Sequence, residues 1–207
     1  MIYLFDQLES ITDEYLEKII RVLPLERRKK VRAFKFSIDQ IQSAIGYMLL
    51  LYGLRLEYGI FEELAFSYGK NGKPYLKNYP NIYFNISHCK VGVVCAISDN
   101  EVGIDIEKVE AFDLELGKYC CSPEELDRIL SSNSPEAEFY SLWTKKESFL
   151  KLTGEGLNTD LKGLFNQMEE VPHFLSGGTF SSHQIKEDVF QPHKAYMISI
   201  CTWETDK

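Results

Sequence analysis

The run Val102-Gly103-Ile104-Asp105-Ile106-Glu107 constrains this chain more than any other stretch. Apolar and acidic residues alternate with the two-residue period of a β-strand, so Val102, Ile104 and Ile106 fall on one face and Asp105 and Glu107 on the other. The apolar face is expected to pack in a core while the other presents the two acids. Like charges held two residues apart repel, and keeping them together is costly unless a cation or basic group lies between them. A hard divalent ion, which takes oxygen ligands, resolves that conflict. The ordinary alternative is a half-exposed edge with two solvated acids, because this spacing is common in strands.

About forty residues later comes Trp143-Thr144-Lys145-Lys146-Glu147-Ser148-Phe149-Leu150-Lys151. Ser134-Pro135 supplies an N-cap with proline at the first helical position, and Gly154 a C-terminal stop, framing one helix over residues 135–153. Phe139, Leu142, Trp143, Phe149 and Leu150 form its apolar stripe. Glu147 and Lys151, four apart, sit side by side on the border of that stripe and can face a cleft. A plain surface Glu–Lys pair, contributing only about 0.2–0.5 kcal/mol, is the competing explanation. Lys146 falls inside the stripe, where an unpaired ammonium is expensive, so it needs a snorkelling route or an anion nearby. Three carboxylates and a lysine suggest a magnesium-dependent phosphate site.

The rest of the pattern supplies a scaffold. Met1–Asp6 reads as a first strand, residues 12–22 and 38–58 as helices, and 82–87, 91–98 and 102–107 as strands, with Ser98-Asp99-Asn100 as a turn. Two more strands are expected near 178–185 and 195–203. Helices mixed with antiparallel hairpins predict an α+β fold. With 207 residues, 44% of them hydrophobic, the chain can bury one substantial core or two small ones. Met1–Asp6 is too short and lacks the basic residues of a signal peptide, and the apolar run 44–56 falls short of the roughly 20 apolar residues of a membrane span. Five cysteines without a C-x-x-C pair indicate neither a disulfide framework nor a zinc site, which fits a reducing cytoplasm. Five cations in the six positions Arg27–Arg32, on a chain of net charge −8, read as either a solvated helix face or a local anion-binding patch.

Taken together, the V-G-I-D-I-E strand and the W-T-K-K-E-S-F-L-K helix resemble the signature of the Sfp-type 4'-phosphopantetheinyl transferases. Phe84-Asn85-Ile86-Ser87-His88, Asn71-Gly72-Lys73-Pro74 and the basic segment Arg27–Phe34 resemble three further segments of that family, in family order. The resemblance implies two similar α/β subdomains related by a pseudo-twofold, residues 1–100 and 101–207, with the active site in the cleft between them. It implies transfer of the phosphopantetheine arm of coenzyme A to a serine of an apo acyl or peptidyl carrier protein. Asp105, Glu107 and Glu147 are then the expected Mg²⁺ ligands, Glu147 the expected base, and Lys151 the cation that neutralises and protonates the leaving phosphate. Arg27 and Lys30 are expected at the 3'-phosphate of coenzyme A, and Lys73, Ser87, His88 and Lys151 at the rest of it. A monomer with no nucleic-acid or membrane partner is expected, and residues 156–189 are expected to help receive the carrier.

Some readings stay open at this level. Glu125 either completes a capping box with Ser122 or belongs to the site. His88, apart from the resemblance, is an ordinary histidine at a strand end. Ile41-Gln42 stands where relatives often carry a basic residue, so one coenzyme A contact is missing or replaced. The alternative activities are Mg²⁺-dependent hydrolysis of a coenzyme A or nucleotide pyrophosphate, and a catalytically idle module that binds carrier proteins or coenzyme A.

Overall fold

The computed structural model describes residues 1–69, 71–156, 160–165, 173–177 and 196–203. In the first part of the chain β1 (Ile2–Phe5) is followed by α1 (Asp13–Val22), α2 (Leu25–Arg32) and the long α3 (Ser37–Tyr58). A short hairpin, β2 (Phe66–Tyr68) and β3 (Pro74–Leu76), precedes β4 (Tyr83–Cys89) and β5 (Gly92–Ser98). The second part runs β6 (Val102–Lys108), α4 (Leu114–Cys120), α5 (Pro123–Leu130), α6 (Pro135–Thr153), β7 (His173–Gly177) and β8 (Tyr196–Thr202). Two antiparallel three-stranded sheets result, ordered β1-β5-β4 and β6-β8-β7, and the fold is α+β.

The apolar run of β5 is continuous because both of its faces are covered. Val93, Cys95 and Ile97 join the core with Ala44, Ile45, Leu50 and Leu54 of α3. Val94 and Ala96 point the other way, into a cluster with Val102, Ile104 and Ile106 of β6 and Ile198 of β8. The apolar face of β6 is therefore buried as its alternation requires. Its acidic face is closed over Asp105, only 2% exposed, so the alternative of a half-exposed edge with two solvated acids is not what forms. The cause is Gly103, whose missing side chain lets α6 cross the strand so closely that a Cβ there would lie 1.9 Å from the Ser148 carbonyl oxygen and 2.5 Å from the Leu152 nitrogen.

Helix α6 spans the framed residues, and Gly154 closes it in the left-handed conformation at φ 72°. Two details differ. Ser134 occupies the N-cap position, but its hydroxyl lies 3.1 Å from Glu136 Oε1 and accepts no backbone N–H. The helix is also buried beyond a single stripe, since Thr144, Lys146, Ser148 and Leu152 are covered along with Phe139, Leu142, Phe149 and Leu150. The strand expected near 178–185 lies outside the described residues. Strand β7 was not anticipated, because its place comes from pairing with β8 and not from any alternation of its own. No described helix is long and apolar enough to cross a membrane, and all five cysteines are free.

Candidate active site

Strands β4 and β6 are edges of their sheets, and side chains of β4 join them. Asn85 and Ser87, two apart, project to one side. Asn85 Oδ1 accepts the Ile104 backbone N–H at 3.0 Å, and the Ser87 hydroxyl donates to Asp105 Oδ1 at 2.7 Å. From α6, Lys151 Nζ donates to both members of that pair, at 2.7 Å to Ser87 Oγ and 2.6 Å to Asp105 Oδ1. Charge-assisted bonds of this length are the stronger kind, and here they bring three distant stretches of chain to one point.

Asp105 Oδ2 is buried with no hydrogen-bond partner. Burial, and then the Asp105 charge, push the Glu107 carboxyl up to about 7, while the Trp143 indole and the Lys151 ammonium oppose the rise. Burial likewise raises Glu147, opposed by Lys151 and reinforced by Asp105. The three acids thus feel one another across the cleft. Among the described residues, no three His, Cys, Asp or Glu side chains close into a ligand cluster. The donor set nonetheless fits a hard cation: all three groups offer oxygen, one buried oxygen has no partner, and the mutual repulsion calls for positive charge.

Beside this cluster opens a cavity of about 260 Å³ lined by Arg27, Lys30, Phe34, Asp39, Gln42, Ser43, Gly46, Ile86 and His88. The basic segment is sorted by its fold. Arg28 donates to the Arg21 and Leu23 carbonyls, Lys29 pairs with Glu26 and Arg32 with Glu17. Arg27 and Lys30, the two expected at an anion, are the cations that line the cavity. Arg27 stacks on Tyr47 and donates to the Ser43 carbonyl and, at 2.9 Å, to the Ser43 hydroxyl, while burial lowers its pKa. His88 lines the same cavity, and crowding by the protein, then the Lys151 ammonium, hold its pKa below the usual histidine value. It therefore stands between the basic cavity and the acidic cleft. Gln42, at the position without a basic residue, donates to the Cys89 carbonyl at 2.9 Å and orders the strand end.

Lys73 lies elsewhere: its Nζ donates to the Leu152 carbonyl at 2.7 Å, at the C-terminal end of α6. Lys146 finds the partner its position demands. It is 1% exposed and bonds Glu125 Oε2 at 2.6 Å, the Leu161 carbonyl at 2.7 Å and the Cys120 carbonyl at 2.9 Å. Glu125 also accepts the Ser122 N–H in a complete capping box, so it acts as cap and counter-ion together.

Sequence reasoning passed over Asn85, Asp39 and Ser43. Asn85 shares a strand face with Ser87, and Asp39, Ser43 and Gly46 recur at helical spacing on α3, so periodicity carried a usable signal for both.

A cation-lined cavity beside paired carboxylates and a lysine has the charges that a phosphorylated ligand would require. Comparison with known proteins narrows the class. A family model described as "4'-phosphopantetheinyl transferase, N-terminal" matches residues 10–100, and one described as "4'-phosphopantetheinyl transferase superfamily" matches residues 101–201. The 4'-phosphopantetheinyl transferase psf-1 of Bacillus pumilus is 33% identical over 203 residues, 95% of this chain and 87% of that protein. The 4'-phosphopantetheinyl transferase Sfp of Bacillus subtilis strain 168 is 33% identical over 154 residues, 73% of this chain and 69% of its own. The L-aminoadipate-semialdehyde dehydrogenase-phosphopantetheinyl transferase of Saccharomyces cerevisiae is 33% identical over 168 residues, covering 75% of this chain and 62% of its own. The chain belongs to the 4'-phosphopantetheinyl transferase family.

Proposed function

We propose that this protein moves the 4'-phosphopantetheine arm of coenzyme A onto a serine of an apo acyl or peptidyl carrier protein, releasing adenosine 3',5'-bisphosphate, and that it requires Mg²⁺. The observation that carries the proposal is the convergence of Ser87, Asp105 and Lys151, with Glu107 and Glu147 close by, next to a cavity lined by Arg27, Lys30 and His88. Relatives named as transferases favour this over pyrophosphate hydrolysis or an idle binding module.

Each side chain has a task in that reaction. Arg27 and Lys30 hold the 3'-phosphate in the cavity, and His88 and Ser87 line the path from there to the pyrophosphate. Glu147, whose raised pKa makes it a better proton acceptor, takes the proton of the carrier serine. The serine oxygen attacks the phosphorus bonded to the pantetheine arm, and the bond from that phosphorus to the bridging oxygen breaks. Lys151 neutralises the departing phosphate and can give it a proton. Asp105, Glu107 and Glu147 would hold Mg²⁺, which when bound neutralises pyrophosphate charge. Such catalysis is largely positioning and electrostatics.

We assign the coenzyme A contacts to residues 1–100 and the acids and α6 to residues 101–207. The family matches, which end at residue 100 and begin at 101, support this division. The setting proposed is a monomer in a reducing cytoplasm. Incubation with coenzyme A, Mg²⁺ and a panel of apo carriers, read by intact mass, is expected to add one phosphopantetheine to at least one of them. No mass gain on any carrier, or release of adenosine bisphosphate without a carrier, would overturn the proposal.

A further inference from the structure

Helix α6 carries both Glu147 and Lys151, so where it stops and how it is held decide where those groups stand. A helix end leaves its last carbonyls without intrahelical partners and bears partial negative charge. Locally, the Gly154 N–H bonds the Leu150 carbonyl at 2.9 Å. The Leu152 carbonyl and the two carbonyls just past the helix, those of Gly154 and Glu155, take donors from 79 to 84 residues away. The turn of the β2–β3 hairpin reaches across, Lys73 Nζ donating to the Leu152 carbonyl at 2.7 Å. Asn71 Nδ2 donates to the Gly154 carbonyl at 2.7 Å and the Glu155 carbonyl at 3.1 Å. The aliphatic stem of Lys73 lies against the bare face of Gly154.

We infer that Asn71 and Lys73 are positioning residues, a clamp by which the β2–β3 turn fixes the end of the helix that bears the reacting groups. Resting on the proposed transferase reaction, the clamp has a specific use. Further along, α6 is held through Lys151, which bonds Ser87 and Asp105, and through Thr144 and Lys146. When Lys151 turns to the pyrophosphate its bonds loosen, and the hairpin retains a hold on the C-terminal end of the helix. The positive charge of Lys73 at the negative helix end suits this task.

The clamp is tested with Asn71→Ala, Lys73→Met and Lys73→Arg in the full chain, by hydrogen exchange without substrates and by steady-state kinetics of carrier loading. Loss of one such hydrogen bond is expected to lower protection of the Leu152–Gly154 amides by about tenfold, with the β5 amides unchanged. The first two variants are expected to lose about tenfold in kcat with KM for coenzyme A within about twofold of wild type. Lys73→Arg keeps a donor and is expected to retain most of the activity. A rise in KM at constant kcat for Lys73→Met would make Lys73 a ligand contact and overturn the inference, as would unchanged amide protection in both variants. Wild-type protein inactive on every carrier would refute the transferase reading, and the exchange arm would still decide whether the clamp exists.

Discussion

Gly103→Ala is the sharpest test of how the site is assembled. The added methyl would meet the Ser148 carbonyl oxygen at 1.9 Å, the Leu152 nitrogen at 2.5 Å and the Leu152 Cα at 3.0 Å. All three are backbone atoms, so no rotamer change relieves the overlap, and α6 must retreat by roughly 1 Å. Lys151 lies between Ser148 and Leu152 and moves with them. Its bonds to Asp105 and Ser87, now 2.6 and 2.7 Å, would stretch past the roughly 3.2 Å limit of a good hydrogen bond. Overpacking costs about 1–3 kcal/mol and the weakened charge-assisted bond about 1.5–3 kcal/mol more. For a chain of this size a loss near 3 kcal/mol lowers Tm by about 6–12 °C. Turnover should fall by about a hundredfold, since a 1 Å misplacement of reacting groups has that effect. Thermal melting and carrier loading, the latter well below the transition, measure both. A Tm within about 1 °C of wild type together with unchanged kcat would show that the close crossing of strand and helix does not govern the site.

Glu125→Ala leaves the Lys146 ammonium buried without its counter-ion and is expected to cost about 3–5 kcal/mol in urea unfolding, whereas Lys146→Met, which removes the charge itself, should cost less; equal losses would count against the ion-pair account. Glu107 gives a pH signature in metal-free protein. Its folded pKa of about 7 lies above the ordinary value of 4.5, so the stability gained by protonation is complete below the ordinary value and disappears as pH rises through 7. Glu107→Gln, which stays neutral, should therefore melt higher than wild type near pH 8 and lose that advantage near pH 4; a difference independent of pH would contradict the assignment. Glu147→Gln should lower turnover by about 10²–10⁴-fold with coenzyme A affinity retained, and wild-type activity would remove Glu147 as the base. Lys151→Ala should depress kcat more than coenzyme A binding, and it should also cost stability, because Asp105 is enclosed and would lose its cation.

Much of the fold was legible because period and punctuation agree. The two-residue alternation of 102–107 placed three apolar residues against β5, and Ser134-Pro135 with Gly154 bounded a helix that ends where it should. The Lys146 position called for a snorkelling route or an anion; an anion is what it has, and which acid supplies it depends on α5 lying alongside α6. How deeply Asp105 is enclosed could not be read from the strand. Alternation says which face an acid occupies and nothing about what crosses that face.

Residue type and spacing alone determined the chemistry available here: oxygen donors two apart on a strand, a glutamate and lysine four apart on a helix, and clustered cations upstream. Those are local properties, dictated by bond geometry and by the cost of burying charge. Only the tertiary structure decided which partners occupy Arg28, Lys29 and Arg32, that Lys73 grips a helix end, and how closely Ser87, Asp105 and Lys151 meet. Such meetings depend on the distance between elements far apart in the chain, and that distance is set by packing, down to the absence of one methyl group at Gly103.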